Sequence, residues 1–509
     1  MFRDGMLRSI WQDKISLSPV MENLPRQRFD VAIAGGGITG LSCALELCER
    51  GCSCIVLEGR NCGFGTTGGT TAHLNTFFDA AYPDVIANFG HASALLLAQA
   101  GKLAIDLIAQ RVQGHPALCS FEKKKGYMLA IDEQQAKNLD EWVAAADAVH
   151  IPMQFCDKHT GFPLPYIKAA VVKGQAQFHP VAYLQHLKNK LQQYGAPVVE
   201  DCRVTGHKVK EEIVEVFTTK GNIQVHDLIY ATHTPPGINL VHFRNIPWRS
   251  YVIAAILQDD RYPEDLFYDM NDPYHYYRTQ VINGQPYLIV GGEDHKTAHE
   301  QNPMHCFDRL EAHTRQYFKV KEVPYRWSSQ YYEPADGLPY IGHLPGEPSG
   351  VYVATGFTGN GMIFGTLSGR VLGQIIGEGN SIYQSLFDPG RIKPIAGFSN
   401  FIRHNTAVIS DFLKDKLFVE RLNAATDIPY DEGRVVTIEG ETCALYRDNK
   451  GRLHAINHVC SHAGCNIRWN DAEKSWDCPC HGSRFSANGK VLNAPAVQDL
   501  QIHDLDDGL

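Results

Sequence analysis

The chain has 509 residues, too many for one hydrophobic core, so two or three domains are expected. Its composition, 44% hydrophobic and 20% charged, is that of a globular protein, and its formal net charge of −9 argues against nucleic acid or an anionic membrane surface as a partner. No apolar run approaches the length of a spanning helix and no signal peptide is recognisable, so we predict a cytoplasmic location.

Residues 29–61 are predicted to form a strand, a glycine turn, a helix and a second strand. The turn has the pattern G-x-G-x-x-G, and Glu58 follows the second strand. Gly35 permits the tight turn, Gly37 lets a pyrophosphate approach the backbone, and Gly40 lets the helix pack closely on the strand. The helix N-terminus then faces the phosphates, and Glu58 accepts hydrogen bonds from a ribose. A dinucleotide cofactor is predicted; a glycine-rich turn of another α/β domain is the alternative.

The rest of the chain divides into several regions of different predicted structure. Helices are predicted at 85–113 and 134–149, followed by many short β-like runs across about 165–335. A strand at 351–354 leads through glycines into a helix at 361–377. Residues 396–424 resemble a helical linker whose aromatic side chains should pack on a neighbouring surface, and from 425 onward short strands alternate with turn residues.

Two loops near the C-terminus each carry one cysteine and one histidine, in Cys460-Ser-His462 and Cys478-Pro-Cys-His481. A Rieske [2Fe–2S] cluster takes two thiolates on one iron and two imidazoles on the other. Structural zinc is the alternative, although zinc patterns usually group the cysteines first and the histidines later. We predict Cys460, His462, Cys478 and His481 as the ligands of a Rieske cluster.

Two further cysteines, Cys465 and Cys480, lie in CSHAGC and CPCHGS, and with them the two loops resemble the Rieske proteins of cytochrome bc complexes. The resemblance implies a Cys465–Cys480 disulfide that clamps the loops, and a hydrogen bond from Ser483 to a cluster sulfur. Where those relatives have a second hydroxyl donor, a tyrosine, this chain has Phe485. The reduction potential should therefore lie below that of bc-type clusters and above the value of about −400 mV of plant-type ferredoxins. In a reducing compartment the disulfide would be an exception.

A small-residue loop at 63–72 and the segments 336–342 and 351–362 resemble the FAD-dependent oxidoreductases of the D-amino-acid oxidase/glycine oxidase type. Some of those relatives attach FAD through a His in the loop or a Cys before the last strand, and this chain has neither, so non-covalent FAD is expected. The resemblance implies that FAD is held by Gly35, Gly37, Gly40, Glu58, Arg60, Thr66, Thr67, Gly68, Val204, Gly356, Gly359, Gly361 and Met362.

Both resemblances together imply an α/β FAD-binding Rossmann-like domain with an inserted α+β substrate domain, followed by a small all-β Rieske domain. The whole chain looks like a bacterial subfamily with this combination. The predicted division is an N-terminal extension at 1–27, the oxidoreductase domain at 28–395, a helical linker at 396–424 and the Rieske domain at 425–509. Within the oxidoreductase domain, FAD-binding parts are expected at about 28–165, 196–240 and 330–395, with the substrate-domain parts between them.

The sequence contains fewer motifs that indicate how a substrate is bound. In amino-acid-oxidising relatives an arginine on a comparable strand binds the substrate carboxylate, which makes Arg278 the candidate; a surface or interdomain ion pair is the alternative. We expect oxidation of the C–N bond of an amine or amino acid, with electrons passing from FAD to the cluster and on to an external acceptor. The alternatives are the reverse flow, for a reductase or oxygenase reaction, and a redox-sensing protein with little turnover.

Overall fold

The computed structural model describes residues 4–13, 21, 23–156, 161–392, 420–421, 427–438 and 440–503. Most of the predicted linker at 396–424 lies outside these residues. Among the described residues, three sheets of six, nine and three strands form the part of the chain before residue 393, and two four-stranded sheets form the C-terminal part. The elements agree with the predicted order of a Rossmann-like unit, a large inserted sheet and a small β domain.

The first sheet contains the predicted strand–turn–helix unit. Its six strands lie in the spatial order Tyr340–His343, Val351–Thr355, Asp227–Tyr230, Val31–Ala34, Cys54–Leu57 and Val198–Val199. Val31–Ala34 is buried and pairs in parallel with both neighbours, as a βαβ unit requires. Gly40 packs the following helix against the turn, since a Cβ there would lie 1.8 Å from the carbonyl oxygen of Gly35.

The second sheet is larger and contains most of the region predicted to form the substrate domain. Its path runs through Val320–Pro334, Asn245–Leu257, Gln285–Lys296, Tyr276–Ile282, Leu266–Asp269, Glu122–Ala130, Lys168–Gln177 and His73–Leu74, and Met153–Phe155 pairs at its side. The strand at Glu122–Ala130 belongs to this sheet, although the predicted division places it in an FAD-binding part. Its partner strands come from distant segments, so hydrophobic periodicity alone does not reveal its sheet. A third sheet is formed by Gly221–Val225, Ile213–Thr218 and Val204–Lys210.

Helices pack against the first sheet and against strands of the second. The α-helices span Ile38–Glu49, Thr66–Gly69, Tyr82–Phe89, His91–Arg111, Glu133–Ala148, Pro180–Gln193, Pro303–Tyr317, Gly361–Glu378 and Gln384–Phe387, and 3₁₀-helices span Pro116–Cys119 and Leu240–Arg244. By length and composition the helix His91–Arg111 could cross a membrane, which differs from the expectation that no apolar run is long enough, and half of its apolar window is buried inside the protein.

The C-terminal part consists of two four-stranded sheets. One contains Glu420–Arg421, Glu432–Ile438, Glu441–Arg447 and Leu453–Ile456, and the other contains Arg468–Asn470, Ser475–Asp477, Arg484–Ser486 and Val491–Asn493. The four cysteines Cys460, Cys465, Cys478 and Cys480 are buried in one hydrophobic cluster between the sheets. Cys465 and Cys480 form the predicted disulfide.

A buried network of charges joins the C-terminal domain to the large sheet. Arg249, on the strand Asn245–Leu257, lies 3.8 Å from Glu473 and 3.5 Å from Asp477, and all three side chains are almost fully buried. Arg484 pairs with Asp477 at 3.0 Å and with Asp4, from the N-terminal segment, at 3.0 Å. Charges are kept in such an interior only when they are paired, so this network fixes the two domains against each other.

Removing one charge from this network should loosen the docked domain. We expect Glu473→Ala to lower the free energy of unfolding by about 3–5 kcal/mol, because it leaves Arg249 poorly compensated in a buried site. Urea unfolding followed through the visible circular dichroism of the predicted cluster measures this loss. Lys490→Met removes the exposed Lys490–Asp499 pair and should change the free energy by less than about 1 kcal/mol. Equal effects of the two variants would contradict a buried, coupled network.

Candidate functional site

One cavity of about 1080 Å³ runs from the glycine turn of the first sheet to the large sheet. Residues of both domains line it, including Val491, Ala494 and Val497 of the C-terminal domain. Its length and its two chemically different ends fit an extended cofactor together with a small substrate.

The first end fits the adenosine and pyrophosphate part of FAD. Seven of the residues predicted to hold FAD line this end: Gly35, Gly37, Glu58, Arg60, Thr66, Thr67 and Val204. The Glu58 carboxylate accepts hydrogen bonds from the backbone N–H groups of Gly36, at 2.6 Å, and Arg60, at 2.9 Å. These bonds hold its carboxylate at the place where a ribose would sit, and burial raises its pKa. The helix that starts after Gly37 presents its N-terminus to the cavity.

The opposite end of the predicted FAD site is formed by the start of the helix Gly361–Glu378. Gly359, Gly361 and Met362 line the cavity, whereas Gly40, Gly68 and Gly356 are not among its lining residues. Gly68 instead packs against the N-terminal segment, because a Cβ there would lie 2.1 Å from the carbonyl oxygen of Gly63 and 2.4 Å from the Gln12 amide. Gly356 has a φ of +74° and packs on Asn245. These glycines shape the backbone around the site.

Arg278 does not take the position expected of a carboxylate-binding residue. Its side chain is fully buried, and its guanidinium donates to the carbonyl oxygens of Thr71, at 2.8 Å, Ala72, at 2.9 Å, and Phe178, at 3.2 Å. It also donates to Gln280 and is not among the residues that line the cavity. Arg278 therefore anchors the loop that follows the predicted flavin site. Among the described residues Arg278 forms no ion pair either, since its acceptors are carbonyl oxygens.

The large sheet forms one wall of the cavity. On this wall lies the carboxylate of Asp294, whose hydrogen-bond partners are uncharged. Asp294 accepts hydrogen bonds from the Ser250 hydroxyl and, at 3.0 Å, from the Tyr331 hydroxyl, and Ser250 is also bonded to the Tyr276 hydroxyl at 2.8 Å. All four residues line the cavity. Burial raises the pKa of Asp294 to about 7.

A second carboxylate, Asp79, lies where the large sheet approaches the last glycine loop. It accepts hydrogen bonds from the Gly359 N–H at 2.7 Å and from the Tyr274 hydroxyl at 3.1 Å. Asp79 and Tyr274 also line the cavity. The predicted substrate end of the cavity is thus bounded by two carboxylates and several tyrosines.

The four predicted cluster ligands converge in the C-terminal domain. The rings of His462 and His481 lie 5.0 Å apart. The Cys460 thiol is in hydrogen-bond contact with that of Cys478, and this contact lowers the pKa of Cys460 to about 7. The sulfur atoms of Cys465, Cys478 and Cys480 lie within 4.8 Å of one another, which places the disulfide beside the ligand set.

The hydrogen bonding of His462 fits an iron ligand. Its Nε2 lies 3.1 Å from the Gly237 carbonyl oxygen, which can only accept, so Nε2 carries the proton. Its Nδ1 is then the atom with a free lone pair, and it is buried without a hydrogen-bond partner among the residues that the structure describes. Such an arrangement is expected of an imidazole that binds a metal through Nδ1.

The tuning residues predicted from the sequence also lie at this site. The Ser483 side chain contacts the Cys460 thiol and accepts a hydrogen bond from the Ala496 N–H at 3.1 Å. Phe485 is fully buried in the same hydrophobic cluster as the cysteines. A hydroxyl at position 485 would therefore be placed in the core that surrounds the predicted cluster.

The loop that carries His481 approaches the cavity through its backbone. His233 lines the cavity and its ring lies 4.6 Å from the ring of Tyr332. The Tyr332 hydroxyl donates to the carbonyl oxygen of His481 at 3.0 Å. Gln330, which also lines the cavity, donates to the carbonyl oxygen of Gly482 at 2.9 Å. Only a few side chains separate the cavity from the ligand loop.

Sequence reasoning missed the contributions of the N-terminal segment and of both carboxylates. Residues 4–13 were expected to be part of an extension, but Trp11 donates to the carbonyl oxygen of Thr70 and Gln12 to that of Gly63 at 2.9 Å. The segment thereby supports the loop at the predicted flavin site. The tryptophan was a local signal of packing, whereas no local pattern distinguishes Asp294 or Asp79 from surface carboxylates.

Comparison with known proteins identifies both halves of the chain. Residues 30–375 match the family model described as FAD dependent oxidoreductase, and residues 420–504 match the Rieske [2Fe-2S] domain. A protein of Bacillus subtilis (strain 168) described as a Rieske 2Fe-2S iron-sulfur protein, YhfW, is 32% identical over 479 residues, which cover 94% of each chain. Gamma-glutamylputrescine oxidoreductase of Escherichia coli (strain K12) is 24% identical over 376 residues, covering 68% of this chain and 83% of the relative.

Solved structures show the same fold for the first half. The L-proline dehydrogenase from P. horikoshii has a TM-score of 0.57 at 18% identity and covers 72% of this chain and 98% of its own. The glycine oxidase from Geobacillus kaustophilus has a TM-score of 0.56 at 20% identity, with coverages of 72% and 99%.

The assignment of cluster ligands predicts a selective loss. We expect His462→Ala to abolish the Rieske spectrum and to leave FAD bound, because the FAD residues lie in the other domain. Electron paramagnetic resonance and the ratio of flavin to protein absorbance measure the two effects. His454→Ala is the matched control, since that histidine contacts Asp448 at 3.3 Å, away from the ligand set. Full retention of the cluster signal in His462→Ala would contradict the assignment.

The contact between Ser483 and Cys460 predicts a shift in reduction potential. A donor to a cluster sulfur stabilises the more negative reduced state, so Ser483→Ala should lower the potential and Phe485→Tyr should raise it. A differential stabilisation of about 1.4 kcal/mol corresponds to roughly 59 mV for a one-electron couple. Redox titration of each variant measures the shift, with Ser486→Ala as the control for a serine outside this contact. Unchanged potentials with intact clusters would refute this origin of the tuning.

Proposed function

We propose that this chain, which belongs to the FAD dependent oxidoreductase family and carries a C-terminal Rieske [2Fe-2S] domain, oxidises the C–N bond of an amine or amino acid and passes the electrons from FAD to the cluster. FAD, when bound, accepts two electrons from the substrate, and the [2Fe–2S] cluster accepts them one at a time. An external one-electron acceptor then reoxidises the cluster.

The observation that carries this proposal is the contact path between the cavity and the cluster ligands. It runs from His233 on the cavity wall to Tyr332, at 4.6 Å between the rings, and from the Tyr332 hydroxyl to the backbone of His481, at 3.0 Å. Tyr332, the residue in the middle of the path, is 2% exposed and therefore shielded from solvent. A buried and short path of this kind supports electron transfer inside one chain.

The loop that carries His462 supplies a second contact between the predicted cluster and the oxidoreductase domain. The protonated edge of His462 donates to the Gly237 carbonyl oxygen, and the neighbouring Pro236 lines the cavity. Since the edge of His462 faces the oxidoreductase domain, we place the transfer from FAD at this edge.

The choice of a C–N bond is supported by the chemistry of the cavity and by the names of the similar proteins. Those names concern a glutamylated diamine, proline and glycine. The carboxylates Asp79 and Asp294 line the predicted substrate end, where they favour a positively charged nitrogen.

An anaerobic titration of the holoprotein with a panel of amines and amino acids tests the proposal. We expect at least one compound to bleach the flavin absorbance and then to produce the electron paramagnetic resonance signal of a reduced Rieske cluster. In His462→Ala the same compound should bleach the flavin without producing that signal. Bleaching only by a reduced electron carrier would reverse the direction of flow, and no bleaching by either would remove the proposed turnover.

A further inference from the structure

We infer that the substrate end of the cavity binds a cationic amino group, held between Asp294 and the tyrosine rings of the large sheet. The inference rests on the proposed amine oxidation and names the charge that the substrate carries at this subsite. It favours amines and polyamines over substrates recognised mainly through a carboxylate.

The first step concerns the charge of Asp294. Its hydrogen-bond donors, the hydroxyls of Ser250 and Tyr331, are both neutral. Among the described residues the neighbouring cations form their ion pairs elsewhere, Arg309 with Glu293 and Glu300, and His275 with Asp269. The charge of His275 also acts on Asp294 and lowers its pKa, but it is committed to the ion pair with Asp269. A cationic ligand in the cavity would give this shielded carboxylate a paired counter-charge of its own.

The second step concerns Asp79, a second carboxylate that lines the same end of the cavity as Asp294. Its negative charge contributes to the raised pKa of Asp294, after the larger effect of burial. Both carboxylates line the cavity, and hydroxyl groups of Tyr274 and Tyr331 contact one each. A cation near both carboxylates removes their mutual repulsion, whereas a substrate carboxylate would add to it.

The third step concerns the aromatic walls. The rings of Tyr274 and Tyr276 lie 5.6 Å apart, and the ring of His73 lies 5.6 Å from that of Tyr276 and 5.4 Å from that of Tyr268. All four line the cavity. Burial lowers the pKa of His73 to about 3, so His73 is neutral and does not repel a cation. Tyrosine faces attract ammonium groups, and the attraction increases when the site is desolvated.

The final step concerns the cations that could oppose such a ligand. Arg278 is directed to backbone carbonyl oxygens and does not reach the cavity. Lys296, two residues after Asp294 on the same strand, is the cation that lines this end among the described residues. Its charge should weaken binding of a cation. Removing this charge should therefore increase the affinity, the opposite of the effect expected when the charge of Asp294 is removed.

Binding should also depend on pH in a defined direction. Asp294 ionises as the pH rises through its pKa of about 7, so the affinity for a permanent cation should increase across that range. Several titratable or charged groups face Asp294 from the surrounding elements: Asp79, Tyr274, His275, Tyr276, Lys296 and Tyr331.

Calorimetric titration of the FAD-loaded, full-length protein with tetramethylammonium chloride tests the inference without turnover. Above pH 8, Asp294→Asn should weaken binding about tenfold, equivalent to about 1.4 kcal/mol. Asp147→Asn, which removes the same charge from an exposed residue that does not line the cavity, should change the affinity by less than about twofold. Lys296→Met should tighten binding.

Unchanged affinity in both Asp294→Asn and Lys296→Met, with FAD bound, would overturn the subsite. That result would leave the proposed oxidation intact if amines still bleach the flavin of the wild-type protein. Failure of every amine to bleach the wild-type flavin would instead refute the proposed function, and tetramethylammonium binding would still report on the subsite separately.

Discussion

The buried ion network around Arg249 is the interaction on which the arrangement of the two domains depends. Arg249 comes from the large sheet, and its partners Glu473 and Asp477 come from the Rieske domain. Arg484 and Asp4 extend the network to the N-terminal segment. Paired charges in a dry interface tolerate little displacement, because a shifted partner leaves a buried charge behind. The network therefore fixes the cluster loops at one place on the oxidoreductase domain.

Because the cluster loops are fixed at that position, they lie close to the cavity. The side of the cavity near the last glycine loop approaches the cluster ligands through His233 and Tyr332. The wall on the large sheet carries the carboxylates and tyrosines that favour an amine. FAD, as the cofactor of this family, lies between substrate and cluster in our account. A two-electron oxidation is thereby combined with a one-electron carrier in a single chain.

The features that could be predicted from the sequence are those encoded by short local patterns. The G-x-G-x-x-G turn works through the backbone of a few adjacent residues, and the fold and both cofactors inferred from such motifs are confirmed by the family matches. The Cys465–Cys480 disulfide is also confirmed. Arg278 shows the limit: it lies in a region predicted only to contain short β-like runs, and the direction of its guanidinium depends on Thr71, Ala72 and Phe178, which are distant in sequence. Asp294 could not be singled out because its neutral surroundings arise only when separate strands meet.

The central claim is that electrons from the substrate reach the cluster inside one molecule, across the docked interface. Rapid anaerobic mixing with an amine that bleaches the flavin, followed by freeze-quenching at successive times, measures the appearance of the reduced cluster directly. We predict that its rate constant does not change when the protein concentration is varied, because donor and acceptor belong to the same chain. A rate that increases with protein concentration, or a cluster that stays oxidised while the flavin is reduced, would contradict the account.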